Sequence, residues 1–108
     1  MLDRNRVSYL TFQDSVVLVE TLTEKLRNIA TISGWPASVV ASLEVKNEGD
    51  SLYITYDTSM SSQVDLLEYG DLNSLPNPVL RPFMYRAFEY IENTVGKNLA
   101  SNMLFGTV

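Results

Sequence analysis

The chain contains no cysteine and no histidine. Without cysteine there are no disulfides, no thiol nucleophile and no thiolate metal site. Without histidine the commonest general base and the commonest metal ligand are missing as well. Positive charge is scarce: eight Lys and Arg stand against thirteen Asp and Glu, for a formal net charge of −5. That balance lacks the basic footprint of a nucleic-acid binder. Arg4, Arg6, Lys25 and Arg27 lie in the first quarter but form no run, and read as solvated surface. No apolar run approaches the ~20 residues that span a bilayer, and the polar start has no apolar h-region. A soluble protein, or a part of an assembly built inside a cell, is expected, with no cofactor and no membrane or specific nucleic-acid partner. Internal repeats and low-complexity tracts are also missing.

What is present suits one globular domain spanning 1–108. The hydrophobic fraction is 45% over 108 residues, and a chain of this size buries roughly two thirds of its unfolded surface. Residues 1–8 are polar and read as a loose arm. Thr11 with Asp14 resembles a helix N-cap signature. Val16, Val19, Leu22, Leu26 and Ile29 then recur at intervals of three and four, which predicts a helix. Gly34, Trp35 and Pro36 end it. From Ala37 to Lys46, Val39, Ala41, Leu43 and Val45 alternate with more polar residues, predicting a half-buried strand. Asn47 to Asp50 reads as a turn. Ser51 to Asp57 alternates again, with Leu52, Ile54 and Tyr56 on one face, so the two segments should pair as an antiparallel hairpin. Periodicity does not decide Val64 to Tyr69, which is either a third short strand or a turn of helix.

Pro76, Pro78 and Pro82 then fall within seven residues. Proline fixes φ and lacks an N–H, and it disfavours helix in the residue before it. Residues 71–82 should therefore form an extended, stiff loop. Leu80, Phe83, Met84, Ala87, Phe88, Ile91, Val95 and Leu99 place one stripe on a long C-terminal helix, with Pro82 in its first turn. Gly96 weakens that helix, and Met103 to Phe105 is an apolar tail. The fold class is α+β: an N-terminal helix, a hairpin with the undecided third segment, the proline loop, and the long helix packed on the sheet.

Few constellations suggest chemistry. Asp57, Ser59, Ser61, Asp65 and Glu68 fit positions 1, 3, 5, 9 and 12 of a calcium loop. However, Ser62 stands where that loop needs glycine, and the flank reads as strand. Asp65, Glu68 and Asp71 offer carboxylates but no partner nucleophile or base. Both sets read as solvated polar surface. Tyr53, Tyr56, Tyr69, Tyr85 and Tyr90 suit core packing and, secondarily, interfaces. Trp35 reads as a core plug, or else as an interface anchor.

Glu68-Tyr69-Gly70, a short spacer, and Pro76-x-Pro78-Val79-Leu80-Arg81-Pro82 opening a helix resemble a phage family. It comprises the small lambdoid-type tail-completion or head–tail joining proteins of tailed phages. The likeness covers Leu67 to Ala87. Asp71 stands where threonine is usual, Val79 where phenylalanine is, and Phe83 where alanine is. The resemblance implies a structural neck or tail protein of the virion, without catalysis, assembling as a ring, often of six copies, between neighbouring neck and tail proteins. It also implies an oligomer or partner interface at Glu68, Tyr69, Gly70, Leu75, Pro76, Pro78, Val79, Leu80, Arg81 and Pro82. Two other classes stay open. One is a non-viral adaptor or antitoxin-like module that binds a partner through the hairpin edge. The other is a small enzyme or ligand-binding domain, recognisable by a pocket with converging polar groups.

Overall fold

A computed structural model describes residues 12–48, 51–95 and 104–107. In order, the elements are helix α1 (Phe12–Ile32), helix α2 (Ala37–Ser42), strands β1 (Glu44–Glu48) and β2 (Ser51–Thr55), and a 3₁₀ turn (Thr58–Met60). Helices α3 (Ser61–Tyr69), α4 (Leu80–Tyr85) and α5 (Ala87–Val95) and strand β3 (Leu104–Thr107) follow. The expected loose arm at 1–8 and the residues around Gly96, Leu99 and Met103 lie outside the described residues.

The α+β class and the antiparallel hairpin are observed. Val45 faces Ile54 and Glu48 faces Ser51 in the register, which puts Val45, Leu52 and Ile54 on the buried face. Strand β3 pairs with β2 in parallel, so the order is β1-β2-β3. Helix α1 lies against β1, and α5 has its main contacts with α1. The C-terminal helix, expected on the sheet, has α1 as its main neighbour and shares one core cluster with Val45, Leu52 and Ile54 of the sheet. It is also not continuous. The Arg86 N–H is shared between the Pro82 and Phe83 carbonyls, and Arg86 has left helical geometry at φ −98°, ψ 5°. That tightened turn separates α4 from α5.

Within α1 the buried line is Leu18, Leu22, Leu26 and Ala30, each four residues from the last, with Val19 and Ile29 beside it. Val16, expected inside, is largely exposed. The helix stops as expected at Gly34. There the Trp35 N–H reaches the Ala30 carbonyl and the Gly34 N–H reaches that of Thr31, both at 3.0 Å. Gly34 takes φ +88°. This is the paired-bond ending that favours glycine.

One segment departs from the sequence pattern, and a second, which the pattern leaves open, is helical. Ala37 to Ser42 is a helix, not a strand. Val39 and Val40 are adjacent and both buried, which a half-buried strand does not permit. Pro36 at its start and contacts with α1 override the β preference of the valines. Arg27 fixes its far end by donating to the Leu43 and Ala41 carbonyls at 2.8 and 3.1 Å. Val64 to Tyr69, open between a third strand and a turn of helix, belongs to helix α3, which starts at Ser61, because Val64 and Glu68 are its buried pair one turn apart. Glu68 counts as polar in a hydropathy pattern, so the period stays hidden.

Candidate functional site

Residues 70–79 link α3 to α4 and form an arm that doubles back on itself. Gly70 caps α3 with φ +70° and ψ −173°, a region only glycine adopts cheaply. A Cβ on Gly70 would sit 2.5 Å from the Ser74 carbonyl oxygen and 2.7 Å from the Pro76 nitrogen. The returning chain therefore leaves no room for a side chain. The Asp71 N–H donates to the Ser74 carbonyl at 2.9 Å, and Asp71 Oδ1 accepts the Asn73 N–H at 2.8 Å. The loop is thus closed over 71–74, not extended from 71 as the prolines suggest.

Asn77 ties the middle of the arm to two helices. Its N–H donates to the Leu67 carbonyl at 2.7 Å. Its carbonyl accepts from Trp35 Nε1 at 2.9 Å, and its Nδ2 donates to the Ser33 carbonyl at 2.8 Å. Trp35 is buried. It is the core plug that the sequence suggests, and its ring N–H also holds the arm.

The strongest fixture is Glu68. Its Oε1 accepts the N–H groups of Val79 and Leu80 at 2.9 and 2.8 Å. Its Oε2 accepts the Arg81 N–H at 3.0 Å and Arg81 Nε at 2.9 Å. Arg81 Nη2 donates back to the Glu68 carbonyl at 2.8 Å. The first N–H groups of a helix have no partner within it, and a negative charge there is favourable. Val79, the N-cap of α4, makes no side-chain cap, and the Glu68 carboxylate takes that role from the preceding helix. Burial pushes the Glu68 carboxyl up, but the N–H groups of Arg81, Val79 and Leu80 and the Arg81 side chain outweigh it. The group is held below its ordinary value. The Arg81 guanidinium is held above its own, chiefly by its bond to Glu68. Pro82 is the third residue of α4, where no intrahelical N–H bond is lost.

The expected interface residues thus divide. Glu68, Val79 and Leu80 are buried and build the frame. Gly70 makes the turn, and Pro76, Pro78 and Pro82 are exposed. Leu75 is 91% exposed and Tyr69 60%. Arg81 lies over the Tyr69 ring, 4.4 Å from its centroid. Sequence reasoning missed Leu72, 103% exposed; Tyr85, read first as core packing and second as an interface residue, is 82% exposed and not in the core. Sequence reasoning also missed Asn77. A leucine between Asp71 and Asn73, and an asparagine between two prolines, were the available signals.

The calcium-loop frame is not assembled. Glu68 is turned inward onto four N–H donors, and Asp57 Oδ1 caps the 3₁₀ turn through the Ser59 N–H and hydroxyl. Among the described residues no cluster of three or more acidic side chains could hold a metal ion, and no helix is long and apolar enough to cross a membrane. A separate hollow of about 400 Å³ is lined by Val19, Glu20, Thr23, Glu24, Arg27, Glu44 and Val45. Two of its polar groups are already engaged. Thr23 accepts the Val45 N–H at 2.9 Å, and Arg27 holds the end of α2. Compared with protein-family models, curated proteins and solved structures, the chain matches none.

Proposed function

We propose that the chain is a structural subunit of a tailed-phage virion, a tail-completion or head–tail joining neck protein that assembles as a ring and grips its neighbours through the arm. The observation that carries this reading is the contrast within residues 70–79. Leu72 and Leu75 are exposed to solvent, while the backbone that bears them is pinned by Glu68, Asn77 and Gly70. An isolated apolar side chain on a surface is unremarkable. Two on a pre-ordered loop, with exposed Tyr69 just before it and exposed Tyr85 in the helix after it, offer contact residues that lose little conformational entropy on binding. The resemblance of Glu68-Tyr69-Gly70 and Pro76 to Pro82 to the neck-protein pattern supplies the virion assignment. The adaptor reading is the weaker one, because Thr23 already takes the outward N–H of Val45 on the hairpin edge.

Native mass spectrometry of the full chain from low to high micromolar concentration tests the reading. A closed oligomer that the double substitution Leu72→Ser, Leu75→Ser reduces to monomers is expected. Its thermal stability should stay within about 0.5 kcal/mol of the parent, since neither leucine is buried. A chain that stays monomeric and does not bind phage particles carrying the matching tail overturns it.

A further inference from the structure

The guanidinium of Arg81 is half used. Arginine offers five N–H donors. Among the described residues Arg81 spends Nε and one Nη2 hydrogen on Glu68, which occupies one edge of the group. The end formed by Nη1 and the other Nη2 hydrogen meets no acceptor among those residues, and the side chain is 37% exposed. The Tyr69 ring lies against the guanidinium face, and Tyr85, 82% exposed, follows Arg81 by four residues in α4, one turn along the same side of the helix. A planar cation held rigid from behind, stacked on an aromatic ring, with a two-pronged end facing outward, is suited to accept one carboxylate.

We propose that Arg81, flanked by Tyr69 and Tyr85, docks a carboxylate side chain of a second copy of this chain. This inference rests on the ring reading above and adds the recognition chemistry. Charge decides the occupant. At −5 the protein repels a nucleic-acid backbone, and its copies also repel one another at long range, so the attraction is local: each copy presents exposed carboxylates, among them Glu20, Glu24 and Glu89, to the one guanidinium end of Arg81. A two-fold contact centred on this patch would set Arg81 against Arg81. A head-to-tail contact sets Arg81 against a different face, and repeated head-to-tail contacts close into rings. Leu72 and Leu75, exposed on the arm that Glu68 ties to Arg81, provide the apolar part of the contact.

The test uses Arg81→Lys, which keeps the charge and introduces an amine at that position. Isotope-labelled and unlabelled chains are mixed and treated with a zero-length carbodiimide. Mass spectrometry of the peptides should show an intermolecular amide between position 81 and an Asp or Glu of the other copy. Tyr85→Ala is the second variant, because Tyr85 is exposed and its removal leaves the Glu68 clamp in place. It should weaken self-association about tenfold or more with an unchanged melting temperature. Raising salt should weaken the parent assembly further. If the parent assembles but Tyr85→Ala assembles equally well and no intermolecular amide forms at position 81, this inference fails and the ring reading stands. If the parent never assembles, both fail. Retention of the parent on duplex DNA that Tyr85→Ala abolishes would overturn the carboxylate assignment.

Discussion

The Glu68 carboxylate and the Arg81 backbone and side chain hold each other across thirteen residues. Oε2 accepts both the N–H and Nε of Arg81, and Arg81 returns a bond to the Glu68 carbonyl. One acidic side chain thereby ends one helix, starts the next, and closes the loop between them. The arm owes its fixed shape to this closure more than to its prolines.

Removing the carboxylate should therefore cost more than a surface ion pair would. Glu68→Ala leaves the N–H groups of Val79, Leu80 and Arg81 without an acceptor. Losing a cap costs about 0.5–2 kcal/mol, and leaving buried charge-assisted donors unpaired adds to that. We expect a total loss of about 3 kcal/mol or more. Glu68→Gln keeps one acceptor and should lose less. Urea unfolding followed by tryptophan fluorescence measures both.

The same carboxylate sets an acid limit. Its folded pKa lies below the ordinary value of 4.5. A depressed folded pKa gives stability that is complete above the unfolded value and is lost as pH falls through the folded one. The melting temperature should therefore be flat near neutrality and fall as pH drops below about 4.5. Asp57, also held low by its bonds to Ser59, acts in the same direction. In Glu68→Gln the acid slope should be shallower; an unchanged slope would assign it to other groups.

Two glycines with positive φ should respond differently to alanine. At Gly34, φ +88° with open space around it, the cost is the backbone term alone, about 1–2 kcal/mol. At Gly70 the new methyl group also meets the backbone of Ser74, Leu75 and Pro76, so the arm must move. Gly70→Ala should lose at least about 3 kcal/mol, since that strained region costs ~1–3 before any clash. Thermal melts of the two variants side by side give the comparison.

Asn77 should report on the arm alone. Asn77→Ala removes the bond to the Ser33 carbonyl but leaves the backbone bonds to Leu67 and Trp35 possible. A loss of about 1 kcal/mol is expected. Backbone amide exchange should rise at the Asn77 amide and in the Asp71–Ser74 turn, while the buried strand β2 keeps its protection. Trp35→Phe, which removes the donor to the Asn77 carbonyl, should loosen the same amides.

Much of the organisation was legible from residue order. The Leu22 and Leu26 spacing, the Gly34 stop and the Leu52–Ile54 alternation state local periods and turns that tertiary contacts leave unchanged. Ala37 to Ser42 reads as strand because Val39 and Ala41 fall into step with Leu43 and Val45, and a period of two cannot be separated from short buried helix over six residues. Periodicity leaves Val64 to Tyr69 undecided because the buried partner of Val64 is an acid, Glu68.

By itself, the sequence determined which chemistries are closed: without cysteine or histidine there is no thiol or imidazole to act, and the prolines of the arm exclude a regular strand there. Only the tertiary structure decided what Glu68 does. A carboxylate in a string of letters is a surface charge by default, since water solvates it well. It becomes a buried helix cap only when the arm folds back and brings Val79, Leu80 and Arg81 to it, replacing that water with N–H donors at fixed distances. Leu72 and Leu75 stay outside that closure, exposed on the arm it holds.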